Sequence, residues 1–208
     1  VTQNYSTALQ WYNKAAANGD VHALCDIGLM YRYRGKNSEA MKWILKAAEQ
    51  GDTNAMYHIG DMYEFGSGVK EDPSVAIQWF LKAAEQGDAD SQVRVGMMYS
   101  NGVGVTENNA EALKWYLKAA DQGNAVAQSS IGLMYYYGNG VPKDYSTAFE
   151  WYLKAAENGN DYAPFTVAEM YEKGQGVEKN IDKAVYWYKK GAEKNRNDCK
   201  EALKRLGY

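Results

Sequence analysis

Apolar residues in this chain fall on one helical stripe, and the stripe returns at a fixed interval. Ala112, Trp115, Tyr116, Ala119 and Ala120 stand at i, i+3, i+4, i+7 and i+8. That is the spacing of one face of an α-helix, not the alternation of a strand. The same stripe surrounds each of six tryptophans, Trp11, Trp43, Trp79, Trp115, Trp151 and Trp187, which are 32, 36, 36, 36 and 36 residues apart. Each has an alanine three positions before it, and an Ala-Ala pair (Gly191-Ala192 in the last copy) begins four positions after it. Self-similarity at a period of roughly 20–50 residues marks a stacked array of short helical units.

A sharp turn is predicted at the end of each stripe. A glycine (Gly19, Gly51, Gly87, Gly123, Gly159) is succeeded at once by Asp or Asn (Asp20, Asp52, Asp88, Asn124, Asn160). Glycine can take the left-handed conformation that closes a helix. The acid or amide can then accept from the free amides that open the next one. A second helix is therefore expected after each dipeptide, as in Asp52 to Tyr63, ending in a Gly-x-Gly-Val loop at Gly66–Val69, Gly102–Val105, Gly138–Val141 and Gly174–Val177. These loops are helix connections. No strand precedes them, no third glycine follows, and the Lys-Ser/Thr ending of a phosphate-binding loop is absent.

Three local departures have their own expectations. Pro73 falls near the first helical position, where its missing amide is harmless. Pro164 stands in the first turn after its cap and predicts a late helix start. The first inter-tryptophan spacing is short because Tyr31 to Ala40 is 9 residues where Tyr63 to Ala76 is 13. A tight turn around Arg34-Gly35-Lys36-Asn37 replaces the loop there.

Comparing the copies of the second helix separates two faces. Counted from the turn glycine, positions 4, 8, 9, 11 and 12 recur, as Ala127, Ile131, Gly132, Met134 and Tyr135 show in one copy. At about 100° per residue these cluster on one side, the side expected to pack internally because a solenoid stacks like faces together. The small residue at position 9 (Gly28, Gly60, Gly96, Gly132, Ala168) predicts close helix approach. Positions 3, 6, 7, 10 and 14 vary from copy to copy. They hold His22, Cys25, Asp26, Leu29 and Tyr33; then Asn54, Tyr57, His58, Asp61 and Phe65; then Asp90, Val93, Arg94, Met97 and Asn101. The last two copies hold Val126, Ser129, Ser130, Leu133 and Tyr137, then Tyr162, Phe165, Thr166, Glu169 and Lys173. The varying face is the candidate binding surface. Its named candidates are Asp26, Leu29, Tyr33, Tyr57, His58, Asp61, Phe65, Arg94, Met97, Leu133, Tyr137, Tyr162, Phe165 and Glu169.

Composition narrows the function classes. The 208 residues are 46% hydrophobic and 24% charged with a net charge of -3, which fits a folded chain and lacks the basic excess of a nucleic-acid binder. No apolar run approaches the roughly 20 residues that span a bilayer, so no membrane insertion is expected. No signal peptide is read at the start, and the missing initiator Met is expected to mean either a segment excised from a longer chain or a true start that is missing. The lysine three residues after each tryptophan is expected to form a solvated outer row. The tryptophans themselves are expected in the core.

One constellation points to chemistry. His22 and Cys25 lie i, i+3 on one helix, and His58 and Asp61 lie i, i+3 on the next. If neighbouring helices brought them together, they would supply a tetrahedral zinc site or, more remotely, a Cys-His nucleophile pair. Nothing in the later copies repeats the pattern, and the preferred expectation is no metal, no cofactor and no catalysis.

The pattern Ala-x-x-Trp-Tyr-x-Lys-Ala-Ala-x-x-Gly-Asp/Asn, then Ala-x-x-x-Ile/Val-Gly-x-Met-Tyr, then Gly-x-Gly-Val, resembles the Sel-1-like repeat family over essentially the whole chain. The resemblance implies an all-α fold, a right-handed α/α superhelical solenoid. It also implies an adaptor role in which the varying faces line a concave groove for a protein or peptide partner. The chain departs from the disulfide-rich bacterial branch of that family, which has a cysteine pair per repeat. A single array is expected over 1–208, with a half repeat at 1–18, repeats at 19–50, 51–86, 87–122, 123–158 and 159–194, and a capping helix at 195–208. The first helix lacks its partner, and its uncapped apolar face leaves self-association open as a further contact. A purely architectural spacer between flanking domains is the remaining alternative.

Overall fold

The computed structural model describes residues 2–208, with side chains from Asn4 onward. Val1, expected at the register of Val141, lies outside the described residues. Among the described residues there are twelve α-helices and no strand. The tryptophan-bearing helices are α1 (Thr2–Ala17), α3 (Asn37–Glu49), α5 (Pro73–Glu85), α7 (Asn109–Asp121), α9 (Tyr145–Glu157) and α11 (Ile181–Glu193). The second helices are α2 (Val21–Tyr33), α4 (Thr53–Glu64), α6 (Ala89–Asn101), α8 (Ala125–Tyr137), α10 (Ala163–Lys173) and α12 (Asn197–Leu206). Two compact units divide them, Val1–Glu107 with α1–α6 and Asn108–Tyr208 with α7–α12. No described helix is long and apolar enough to cross a membrane.

The turn chemistry acts as read. Gly19, Gly51, Gly87, Gly123 and Gly159 have φ between 83° and 95°, where a Cβ would be strained. The following side chains cap: Asp20 accepts from the amides of His22 and Ala23, Asp52 from Ala55, Asp88 from Ser91, and Asn124 from Val126 and Ala127. Asn160 accepts from Tyr162 and Ala163, and α10 starts only at Ala163, with Pro164 in its first turn. The short connection before α3 closes through Gly35 (φ 72°), whose amide reaches Arg32 O, while Lys36 N reaches Tyr31 O.

Packing within each unit centres on a position the tryptophans had obscured. The residue after the tryptophan is buried in five of the six copies, Ile44 and Phe80 in the first unit and Tyr116, Tyr152 and Tyr188 in the second, while Tyr12 is half-buried. Three of these face a glycine of the preceding second helix. Gly28 meets Ile44; a Cβ on Gly60 would lie 2.8 Å from the Phe80 ring, and one on Gly132 3.0 Å from Tyr152. The helical glycine, which costs about 1 kcal/mol relative to alanine, is therefore the seat of a large side chain. The tryptophans sit at the edge of this core. Trp115 is 6% exposed, but Trp43, Trp79, Trp151 and Trp187 are only half-buried and Trp11 is 65% exposed. The core expectation holds fully for Trp115 alone. The reason is the lysine row, which is solvated at its heads yet lies over the rings: Lys14, Lys46, Lys82, Lys118 and Lys154 sit 3.8–4.9 Å from the centroids of Trp11, Trp43, Trp79, Trp115 and Trp151. A cation over an indole face shields it and adds about 0.5–1 kcal/mol at an exposed site.

The loop that leaves each of these hairpins rests on that hairpin's own first helix. The second glycine of each Gly-x-Gly-Val rests on the start of the preceding tryptophan helix: Gly68 on Asn37, Gly104 on Pro73, Gly140 on Asn109 and Gly176 on Tyr145. All four have positive φ, and a Cβ on Gly104 or Gly176 would collide with a carbonyl oxygen.

Candidate binding surface

Part of the varying face of the second helices is open to solvent. Tyr33, Phe65, Val126, Leu133, Tyr137 and Tyr162 are 44–84% exposed and make up half of the twelve large exposed hydrophobics among the described residues. The recurring face is inside: Ala127, Ile131, Gly132 and Met134 are buried, as is Gly96, and Tyr99 and Tyr135 are half-buried.

Position 6 departs from the expectation. Cys25 and Val93 are buried, and Tyr57 and Phe165 are half-buried. Tyr57 meets Phe80 edge-on at 5.4 Å and Phe165 lies 5.7 Å from Tyr188. Position 6 is only about 60° from the side-chain-free position 9 at 100° per residue. In the Tyr57 copy its side chain leans across the glycine onto the same ring that the glycine seats.

The charged candidates are engaged with their neighbours. Asp61 is paired with Arg32 of the preceding second helix, and Arg94 with Glu64 of the preceding one. Arg94 also lies over the rings of Phe65 and Phe80. In the second unit Arg205 donates to both carboxylate oxygens of Glu172 at 2.6 and 2.8 Å, and the Tyr136 hydroxyl lies 3.2 Å from Gln175 Oε1. Arg32, Glu64, Tyr136 and Glu172 all stand at position 13. The position bridges to the next repeat in each of these copies while its residue type changes, even reversing charge between Arg32–Asp61 and Glu172–Arg205. Comparing residue types alone could not find it, since role recurs there without identity.

The remaining candidates line shallow clefts, one between α1 and α2 and the others between successive second helices. Asp26, Leu29 and Tyr33 border one with Tyr5, Tyr12 and Met30; Arg94 and Met97 border another with Glu64 and Asn101. Burial raises the Asp26 carboxyl, with Asp20 and Asp52 adding to it. In the second unit Leu133, Tyr137, Phe165 and Glu169 line one cleft together. Tyr162 is exposed beneath the Arg196 guanidinium at 4.2 Å.

The His22/Cys25/His58 constellation does not assemble. Among the described residues no group of three or more His, Cys, Asp and Glu converges on a metal position. His22 Nδ1 lies 2.9 Å from Asp52 Oδ2, the side chain that caps α4. Cys25 is sealed in the core with the Asn54 amide near its sulfur at 3.7 Å. Burial, then the charges of Asp52 and Asp26, push its thiol up to about 12, so it is neither a nucleophile nor a ready ligand at neutral pH. Burial, then the Arg32 charge, holds His58 below the ordinary histidine value. Its ring lies edge-on to Tyr57 at 5.6 Å, with Nδ1 buried and making no hydrogen bond within the protein. His22 therefore pairs with the cap of α4 while His58 packs against Tyr57.

Comparison with known proteins agrees with this architecture. The family model described as Sel1 repeat matches residues 1–20, 21–52, 53–88, 89–124, 125–160 and 165–195. A Sel1 repeat protein from Oxalobacter formigenes is 36% identical with a TM-score of 0.88, over 96% of this chain and 83% of its own. The Escherichia coli protein c5321, described as a protective antigen of uropathogenic strains displaying an SLR fold, is 40% identical with a TM-score of 0.83 over 89% of this chain. This chain spans 41% of that protein's length. Helicobacter pylori cysteine rich protein B is 28% identical over 61% of this chain and 94% of its own, with a TM-score of 0.51. No curated protein matches at a significant level. The repeat matches cover nearly the whole sequence, the helices pair as α/α hairpins throughout, and the chain belongs to the Sel1 repeat family, with the all-α solenoid fold of its structural neighbours.

Proposed function

We propose that this chain is a non-enzymatic scaffold that binds protein or peptide partners through the varying faces of its second helices. Sel1 repeat proteins are commonly interaction scaffolds, and the family supplies the general expectation. The observation that supports it here is the exposure of Tyr33, Phe65, Leu133, Tyr137 and Tyr162 at positions the packing does not use. Exposed apolar side chains gathered on one kind of face mark interaction sites, and aromatic residues are enriched at interface centres. Asp26, Leu29 and Met97 extend the surface in the first unit, and Phe165 and Glu169 in the second. Tyr57, His58, Asp61 and Arg94 act chiefly by holding the helices that present it.

Selection of peptide binders from a displayed library on the 208-residue chain tests this reading. Binders are expected to lose affinity on Tyr33→Ala, Phe65→Ala or Tyr137→Ala, each variant keeping wild-type helicity. Binders indifferent to all three, or a library that yields none, would count against it.

A further inference from the structure

The cleft between α8 and α10 has a chemistry of its own. It encloses about 170 Å³, room for one side chain and not for a helix. Tyr136, Tyr137, Tyr152 and Phe165 give it four rings, and Gln175 also lines it. Its lining holds a single formal charge, the carboxylate of Glu169, and no lysine or arginine.

We propose that this cleft takes the cationic side chain, arginine or lysine, of a partner segment. The proposal rests on the scaffold reading above and names the chemistry one of its sites would recognise. Aromatic faces carry the negative part of the ring quadrupole and attract cations, most strongly where water is displaced. A carboxylate beside them supplies the counter-charge and a charge-assisted hydrogen bond.

The site is prepared for such a guest. Tyr136 is fixed by its hydrogen bond to Gln175 and by edge contacts to Tyr137 at 5.0 Å and Tyr145 at 4.9 Å. Rings already held lose little freedom on binding. The Glu169 carboxylate pairs with Lys173 Nζ at 2.7 Å, four residues along the same helix and outside the cleft lining. An exposed i, i+4 pair of this kind contributes little to stability, so an incoming cation can displace it. Hydrogen bonding to Glu169 holds Lys173 above the ordinary lysine value, with Tyr136 and Glu172 also contributing; the surroundings favour positive charge. Nearby rings already take cations from the chain itself, Lys143 over Tyr145 at 4.6 Å and Lys183 over Tyr171 at 5.3 Å.

The test uses the full chain and four peptides, acetyl-Gly-Leu-X-Leu-Gly-amide, with X arginine, lysine, norleucine or glutamate. NMR signals of the Leu133 and Met170 methyl groups, both in the lining, report occupancy. The arginine and lysine peptides are expected to shift both, and the norleucine and glutamate peptides to bind about tenfold more weakly or not at all. Glu169→Gln should weaken arginine and lysine about fivefold or more and leave norleucine unchanged. Equal binding of norleucine and lysine would overturn the proposal and leave a plain apolar cleft. So would indifference to Glu169→Gln, or no shift of these methyls with any peptide at millimolar concentration. None of those results touches the scaffold reading, because two of the three residues that judge it in the display selection, Tyr33 and Phe65, lie outside this cleft.

Discussion

Gly191 of α11 and Cys199 of α12 are shaped to each other. A Cβ on Gly191 would overlap the Cys199 sulfur. In the other copies the first of these positions is alanine (Ala15, Ala47, Ala83, Ala119, Ala155). The second is a small residue (Ala23, Ala55, Ser91, Ala127, Ala163). The last hairpin has exchanged volume from one helix to the other, and the contact stays filled.

Gly191→Ala alone should therefore destabilise by about 1–3 kcal/mol, as overpacking does, although alanine is the better helix former. Adding Cys199→Ala should restore most of the loss. Denaturant unfolding of both single variants and the double variant gives the coupling, expected at about 1–2 kcal/mol. Simple additivity would show that the two side chains do not share a space.

The tryptophans should differ in worth although they occupy equivalent places. Trp115→Ala is expected to cost about 3–5 kcal/mol as a buried aromatic. Trp11→Ala and Tyr137→Ala, both mostly exposed, should cost about 1 kcal/mol or less. Equal losses for Trp115 and Trp11 would contradict the burial described.

Glu172 links stability to pH. The Arg205 hydrogen bonds, and then the Tyr188 hydroxyl at 2.8 Å, hold its carboxyl below the ordinary glutamate value of 4.5. A carboxyl lowered in the folded state contributes stability that is fully present above that value and is lost as pH falls through the folded one. Melting temperatures at pH 6 and pH 3 should therefore lie closer together for Glu172→Gln than for the wild type. An unchanged gap would remove Glu172 from the acid response.

Both thiols should be silent in the folded protein. Burial, followed by neighbouring carboxylates, pushes Cys25 up to about 12 and Cys199 up to about 11. At pH 8 a disulfide reagent should react slowly with native protein and rapidly with both sites once guanidinium unfolds it. Immediate reaction of either thiol without denaturant would be inconsistent with these positions.

The sequence made legible whatever repeats in kind. The turn glycines, their Asp and Asn caps, the loop glycines and the late start at Pro164 each express a backbone requirement that few residue types meet. The exposed aromatics of the varying face were also legible, because stacking leaves that side of the helix unused. Three features were not. Cys25 and Val93 belong to the core because glycine at position 9 opens space beside position 6. The lysine row covers the tryptophans because a long stem can pack while its head stays wet. The bridges at position 13 depend on pairs, and a pair survives when both members change.

The first connection between hairpins, closed at Gly35 and lacking the Gly-x-Gly-Val loop, has a mechanical consequence. Every later loop in the chain grips the start of an earlier tryptophan helix, so Asn37, Pro73, Asn109 and Tyr145 are each held by backbone from the following connection. The α2–α3 turn is too short to reach back to α1 in that way. Helix α1 is held by side chains instead, the Tyr5 hydroxyl donating to Met30 O at 3.3 Å and the Arg34 guanidinium lying over the Tyr5 ring at 4.4 Å, and under mild denaturant it is expected to peel away before the latched hairpins behind it open.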